Sequence, residues 1–510
     1  MLATAASCLV VAIVLQAALA PRLSYPPSQK GDVVDDYFGT RVADPYRWME
    51  DLDSKDVAEW VAAQNQVTSS YLATLPLRAH FERRIAALWD YPKVTLPVKE
   101  GGRYFYQKNS GLERQAPLYV RDTLNAPARV VLDPNQLSPD GSVSLTQWEP
   151  SRDGRLVAYA LSEGGADWRT VRVRRVDEGT DLADEVRRVR FSAIAWTNDG
   201  RGFFYSRYPE PPKGKVLEAA LANHALYYHR VGTAQAADTL VYARPDLPTW
   251  FLGGAVTEDG RYLIVSLARG AENTNRLYYA DLGDPAAPNV GAVVTPLVEQ
   301  DGAEFAVFGN AGPVLYLRTD RDAPNRAVVA LDVRHPERAR WRTVVAETRD
   351  AIESVLFVGN RIVIQYLADV QSRVSTFGVD GTPLGEVALP GTGTIAGLGG
   401  RQDDGELFYA FSSPLFPTTV FSYDLASKTP RPFEVARPAV DVDLYETRAL
   451  FAPSKDGTRV PLFLTWRKGM ALDGSHPTML YGYGGFSVSM LPTYRTDVPA
   501  WLEQGGIWVT

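Results

Sequence analysis

Two tyrosines threaded between three glycines, Tyr481-Gly482-Tyr483-Gly484-Gly485, are the residues of this chain best placed to do chemistry. They follow an apolar run, Pro477 to Leu480, that reads as a strand. Glycine lets the backbone turn sharply or lie close to another group. In a loop leaving a strand, that freedom can bring a phenol up to a reacting carbonyl. Acyl transfer puts negative charge on the carbonyl oxygen, and one fixed donor there lowers the barrier by about 3 kcal/mol. Tyr483 is the candidate donor. A glycine-rich turn that only packs against a neighbouring domain would have the same composition, so spacing leaves both readings open.

The partners of such a donor are harder to find. A serine nucleophile on a strand-to-helix elbow reads Gly-x-Ser-x-Gly, and no such stretch occurs in the 510 residues. Ser475 and His476 are neighbours in Asp-Gly-Ser-His-Pro, but adjacency does not give triad geometry. That stretch reads as a turn, with His476 at the entry of the strand. The five histidines (His80, His224, His229, His335, His476) are far apart and fit neither HExxH nor a Cys/His pattern. Each reads as a lone surface or core residue, and no metal site is expected.

A net charge of −7 with scattered Lys and Arg argues against nucleic acid as a partner. Apolar content of 45% and charged content of 22% are globular values. The single cysteine, Cys8, lies in an uncharged apolar run ending in Ala18-Leu19-Ala20. That run reads as a secretory signal over residues 1–20 and points to a periplasmic or secreted protein. The other reading is an uncleaved N-terminal anchor, since about 19 apolar residues nearly span a bilayer.

The length calls for two or more domains. Residues 21–90 are expected to be helical after an irregular start. Asp53 or Ser54 can cap a helix bearing Val57, Trp60, Val61, Val67 and Tyr71. Pro76 ends it, and a second helix carries Phe81, Ile85, Leu88 and Trp89 before Pro92. From there a turn followed by a short apolar strand recurs, anchored at Gly102, Gly154, Gly200, Gly260, Gly312, Gly359 and Gly405. The steps run from 46 to 60 residues, enough for one four-stranded sheet each. Such sheets cannot bury both faces alone, and stacking them radially gives a β-propeller of seven blades over 91–437. An irregular β-sandwich with common Asp-Gly turns is the competing reading.

After residue 437 the texture changes to nearly continuous apolar strands, as in α/β folds whose sheet is covered on both faces. Thr510 stands inside such a run, so the chain is expected to be incomplete, and residues 438–510 are expected to expose apolar surface.

The chain resembles the prolyl oligopeptidase family of serine peptidases from about Tyr25 to Thr510. The resemblance is carried by DPYRWMED (44–51), FSAIAWTNDGRGFFYSRYP (191–209), LYYHRVGT (226–233) and KGMALDGSHPTMLYGYGGF (468–486). It implies a mixed fold, a seven-bladed β-propeller inserted into an α/β-hydrolase domain that is here only partly present. Residues 21–90 would be the N-terminal piece of that domain and 438–510 its resumption. It implies that Tyr483 is the oxyanion-hole tyrosine and that Phe486 lines the pocket for the substrate proline, a rigid apolar ring suited to stacking. The activity implied is hydrolysis of short peptides after proline by a monomer, without metal or organic cofactor. The serine, aspartate and histidine of the family lie beyond Thr510, so the chain as written is expected to be inactive. Two alternatives remain: a non-catalytic propeller that binds partners, and an oligopeptidase with another cleavage preference.

Overall fold

A computed structural model describes residues 23–211, 221–270, 272–299, 302–485 and 488–510. The signal-like run 1–20 and Phe486 lie outside the described residues. The chain divides after Arg84 into two compact bodies.

The first body is not helical throughout. Val34–Tyr37 and Thr40–Ala43 form a hairpin. Its tip, Phe38-Gly39, has positive φ at both residues, the backbone that a two-residue turn between right-twisted strands requires. Arg47 ties the hairpin down through Asp35 and Asp44. The expected helix follows as Lys55–Ala73. Ser54 precedes it in extended conformation, but its hydroxyl makes no capping bond. The next helix, Arg78–Trp89, runs across the division, with Leu88 wholly buried and Trp89 half-exposed.

The second body contains seven antiparallel units of four consecutive strands, spanning 93–132, 143–189, 195–243, 250–298, 305–345, 351–386 and 394–432. In the first unit two short strands, Lys93–Val94 and Val98–Glu100, share the place of one, both pairing with Arg103–Asn109. Units two and three join into a continuous sheet through a single pair, Val189 with Arg207. Each of the seven anchor glycines lies in the turn between the first and second strands of its unit. Six of them have positive φ, where a side chain would be strained; Gly405 does not.

The middle strands of the units are buried in nearly continuous runs, and successive residues face opposite neighbours: Tyr262 and Ile264 enter the core on one side of unit four, Leu263 and Val265 the core on the other. Seven cores result, each shared by adjacent units. Phe105 and Val120 meet Val157 and Tyr159 between units one and two. Leu226 meets Leu252 and Val265 between three and four. Leu277 meets Phe305 and Leu317 between four and five. The seventh core, Tyr104 with Phe408, Ala410 and Val420, closes the ring between units seven and one. The second body is therefore built around a β-propeller.

Units two and three are also joined by a buried charge. The His229 ring lies between Asp238 (Nδ1 to Oδ1, 2.7 Å) and Asp184 (Nε2 to Oδ1, 2.9 Å), all three side chains being inaccessible. Tyr205 Oη donates to the other Asp238 oxygen at 2.6 Å, and the Gly232 N–H to Asp184 at 2.6 Å. His229 is thus not the lone core histidine that its isolation in sequence suggests. Burial disfavours the imidazolium, but the two carboxylates outweigh it and raise its pKa to about 9. A folded-state pKa raised from about 6.5 contributes stability that is complete below 6.5 and is lost as pH rises through about 9. The stability gap between the native chain and His229→Gln, read by urea unfolding, should therefore shrink by on the order of 2 kcal/mol between pH 6.5 and 9.5. A gap that is constant with pH would show that the ring is neutral.

The last segment is a four-stranded sheet in the order Tyr445–Pro453, Arg459–Arg467, Ile507–Val509, Thr478–Leu480. The first three strands are antiparallel neighbours; Thr478–Leu480 pairs in parallel with Ile507–Val509. Parallel neighbours need a long crossover, and here it carries the short helix Val498–Leu502. Coverage is uneven: every residue of Ile507–Val509 is buried, whereas every residue of Thr478–Leu480 is at least partly open to solvent.

Candidate functional site

The glycine-tyrosine loop leaves the end of the parallel strand Thr478–Leu480. Its first tyrosine is anchored. The Tyr481 N–H donates to the Val509 carbonyl at 2.8 Å, continuing the parallel ladder by one residue. Its ring stacks on Trp508, centroids 6.1 Å apart, with the Arg495 guanidinium over both rings. Asp497 holds Arg495 in place at 2.8 Å. The second tyrosine is presented instead. Gly484 takes φ +79°, reversing the chain, and the Tyr483 ring lies over Gly485 with 57% of the residue exposed. A Cβ at position 485 would stand 3.1 Å from the ring. Two chemically similar side chains thus have opposite roles, one fixing the loop to the sheet and one offered to solvent.

Ser475 and His476 do not form a catalytic pair. The Ser475 hydroxyl donates to Asp473 at 2.6 Å, which makes the segment a turn, and the His476 carbonyl accepts from Thr478 at the strand entry. Among the described residues no group of three His, Cys, Asp or Glu side chains could hold a metal ion.

The sheet carrying Tyr483 rests on one particular face of the ring. In a four-stranded meander the turns after the first and third strands lie on one face, and the turn after the second lies on the other. The Pro414-Leu415 turn of unit seven is of the second kind. Leu415 packs with Val440 and Trp501 around Tyr445, Val498, Leu502 and Trp508. The Tyr494 N–H donates to Ser412 Oγ at 2.9 Å.

Inside the ring, the first strands of units two to five, with Glu100 of unit one and Arg401 of unit seven, line a channel of about 720 Å³. Its charged side chains are Glu100, Glu149, Arg152, Glu258 and Arg401. Four of them cluster at the mouth opposite the sheet. Three turns there share one pattern, Ser151-Arg-Asp-Gly, Thr197-Asn-Asp-Gly and Thr257-Glu-Asp-Gly. In each the hydroxyl donates to the aspartate at 2.7 Å, and that aspartate accepts the N–H of the following arginine. The bonds fix the turn so that its second residue, Arg152, Asn198 or Glu258, borders the channel. Ion pairs then join the turns: Arg152 to Asp403 at 2.9 Å and to Glu100 at 3.4 Å, Arg401 to Glu258 at 3.0 Å and to Glu100. The Asp-Gly repeat located these turns in sequence, and the hydroxyl two residues before the aspartate was a readable signal for their inward residue; the sequence reading missed it.

Glu149 stands apart from this cluster, on the inner strand Val143–Pro150. Burial, and then the Glu100 charge, push its carboxyl up to about 8. A carboxyl whose folded pKa exceeds its unfolded value near 4.3 destabilises the native state increasingly as pH rises between the two. Glu149→Gln should accordingly raise the melting temperature at pH 8 and have little effect at pH 4.5. An equal effect at both pH values would place the carboxylate in a solvated site.

Residues 25–436 match the family described as prolyl oligopeptidase, N-terminal beta-propeller domain. A prolyl endopeptidase of Elizabethkingia meningoseptica is 35% identical over 486 residues, 95% of this chain and 68% of that protein. A solved structure from a study of two prolyl endopeptidases superposes with a TM-score of 0.89 at 34% identity, over 95% of this chain and 71% of the other. Prolyl oligopeptidase B from Galerina marginata, bound to a 25mer macrocyclization substrate, gives a TM-score of 0.88 at 28% identity, with the same shares covered.

Proposed function

This chain belongs to the prolyl oligopeptidase family, and on that premise we propose that it serves serine-type hydrolysis of short peptides on the carboxyl side of proline. The observation that carries the reading is the presentation of Tyr483. It is held on a glycine loop at the end of a parallel strand, beside a tyrosine that is locked down, and its hydroxyl is open to an incoming group. In the proposed mechanism a serine activated by histidine attacks the carbonyl after proline. Tyr483 Oη, with a backbone N–H near the serine, then donates to the oxyanion, where charge develops as the bond changes. Phe486, just past the loop, supplies an apolar face for the proline ring, which has no N–H to satisfy. Prolyl endopeptidases among the relatives support this substrate class, as does the related Galerina prolyl oligopeptidase B bound to a 25mer substrate.

The four-stranded terminal sheet is assigned to an α/β-hydrolase domain interrupted by a seven-bladed propeller, with residues 21–90 as its other piece. The parallel pair with its helical crossover supports this. Leu480, 76% exposed, and the half-exposed Leu450, Phe451, Val460 and Met479 support further elements packing on that sheet. With no Gly-x-Ser-x-Gly in the 510 residues, the nucleophile and its histidine and aspartate are assigned to residues outside them. The 510-residue chain alone is proposed to be inactive. We also propose a monomer, directed to the periplasm or exterior by residues 1–20.

In the catalytically complete peptidase, Tyr483→Phe should lower kcat on a proline-containing chromogenic peptide by roughly tenfold to a thousandfold, with a smaller change in KM. Gly485→Ala keeps the hydroxyl but crowds the ring, and should lower kcat in the same direction. Unchanged turnover in Tyr483→Phe would remove this residue from the mechanism. Equal cleavage after proline and arginine would remove the proline preference.

A further inference from the structure

At the mouth of the channel away from the terminal sheet, one turn reaches across the ring. The turn after the first strand of unit seven, Arg401–Gln402–Asp403, meets the corresponding turn of unit four. Glu258 accepts the Gln402 N–H at 2.9 Å and 3.1 Å through its two oxygens and pairs with Arg401 at 3.0 Å. The Gln402 side-chain amide donates to the Asn310 carbonyl of unit five at 2.6 Å. Asp403 pairs with Arg152 of unit two at 2.9 Å.

In a ring of seven, unit four is three steps from unit seven one way and four steps the other. Their turns can share hydrogen bonds only by meeting at the axis. Unit five and unit two, each two steps from unit seven, are tied to the same three residues from either side. Gly309 of unit five lies beside this contact: a Cβ there would stand 2.2 Å from the Phe357 ring and 3.2 Å from the Gln402 amide oxygen. Glu258 is held from below by Asn198, whose amide donates to its backbone carbonyl at 3.1 Å. A carboxylate that accepts one backbone N–H through both oxygens, with an arginine as its ion-pair partner, is a charge-assisted anchor, stronger than a neutral contact.

We propose that Arg401–Gln402–Asp403 is a latch seated on Glu258 that closes this mouth, so that the channel is a blind chamber entered only from the face carrying the terminal sheet. The latch is a specificity-determining element. A peptide tail that enters the ring cannot pass through it, and the chamber bounds the length that fits. This consequence rests on the peptidase reading; the closure itself does not.

The closure is tested on the 510-residue chain without any activity. Cys8→Ser removes the native thiol, and Ala255→Cys places a reporter on the lumen side of the inner strand Trp250–Val256. It lies three residues inside Glu258, about 10 Å at the rise of a strand. Two reagents are compared: N-ethylmaleimide, which diffuses in from either face, and a maleimide on a short linker to dextran, which reaches only a thiol near an open mouth. Glu258→Ala combined with Gln402→Gly should speed the dextran reagent roughly tenfold or more and leave N-ethylmaleimide nearly unchanged. Equal dextran rates with and without the latch would overturn the proposal. So would a parallel gain at a control thiol, Ser162→Cys, buried within unit two, because that reports general loosening. In the complete peptidase the same pair of substitutions should raise turnover of a long-tailed proline peptide relative to a short one. Failure to cleave the short peptide counts against the peptidase reading alone; cleavage with an unchanged long-to-short ratio counts against the latch.

Discussion

The ring is closed without a shared strand. All strands of unit one come from 93–132 and all strands of unit seven from 394–432, so no backbone ladder joins the two ends. The only cysteine, Cys8, is remote in sequence, so no disulfide joins them either. Side chains alone hold the seam, and its apolar part is small. Four buried residues form it, against eight to twelve at each of the other six interfaces. Polar contacts supplement it. Lys99 pairs with Asp404 at 2.5 Å and Glu406 at 3.3 Å, and Tyr104 Oη donates to Glu406 at 2.8 Å. Glu434 takes both Lys108 and Arg121 at 2.8 Å. These groups are mostly buried, so their mutual attraction is screened less than a surface pair would be. The cross-axis contacts of Gln402 brace the same seventh unit from inside.

This constraint links the fold to the site. The terminal sheet stands on unit seven, through Leu415 and Ser412, so the position of Tyr483 over the ring depends on where the seam leaves that unit. Within the sheet the loop is positioned by ordinary forces: a ladder bond at Tyr481, a stack on Trp508 and a cation above both rings. The glycines then decide which tyrosine is free. The proposed oxyanion donor thus stands on the sheet, apart from the charged channel inside the propeller.

The repeat was legible because it is local. An Asp-Gly turn before an alternating run is written in consecutive residues, and all seven anchors fall in the corresponding turns. The long step between Gly200 and Gly260 reflects the long connection between Arg207 and Ala225 in unit three. Long-range partners were not legible. Nothing near His229 announces that Asp184, 45 residues earlier, will meet its ring, and a lone histidine is the natural reading until the strands pair. The merging of units two and three through Val189 and Arg207 is likewise a pairing between strands, invisible to periodicity. The hairpin at Val34–Ala43 was missed because Tyr37-Phe38-Gly39 lacks the usual Asn-Gly or Asp-Gly signal. Tyr483 stood out by its glycines, but its proposed role came from resemblance; composition alone could not separate a presented phenol from a packed one.

The closed seam is the claim on which the rest stands, and a designed disulfide tests it most directly. Gly397 of unit seven faces Leu96 of unit one so closely that a Cβ on it would lie 2.8 Å from the Leu96 Cδ1. In a Cys8→Ser background, Leu96→Cys with Gly397→Cys should lose both thiols on mild oxidation, as one intramolecular bond in a monomeric chain with unaltered near-ultraviolet circular dichroism. Two thiols that stay free and reactive in the folded chain would mean that units one and seven stand apart, and the closed ring would be contradicted.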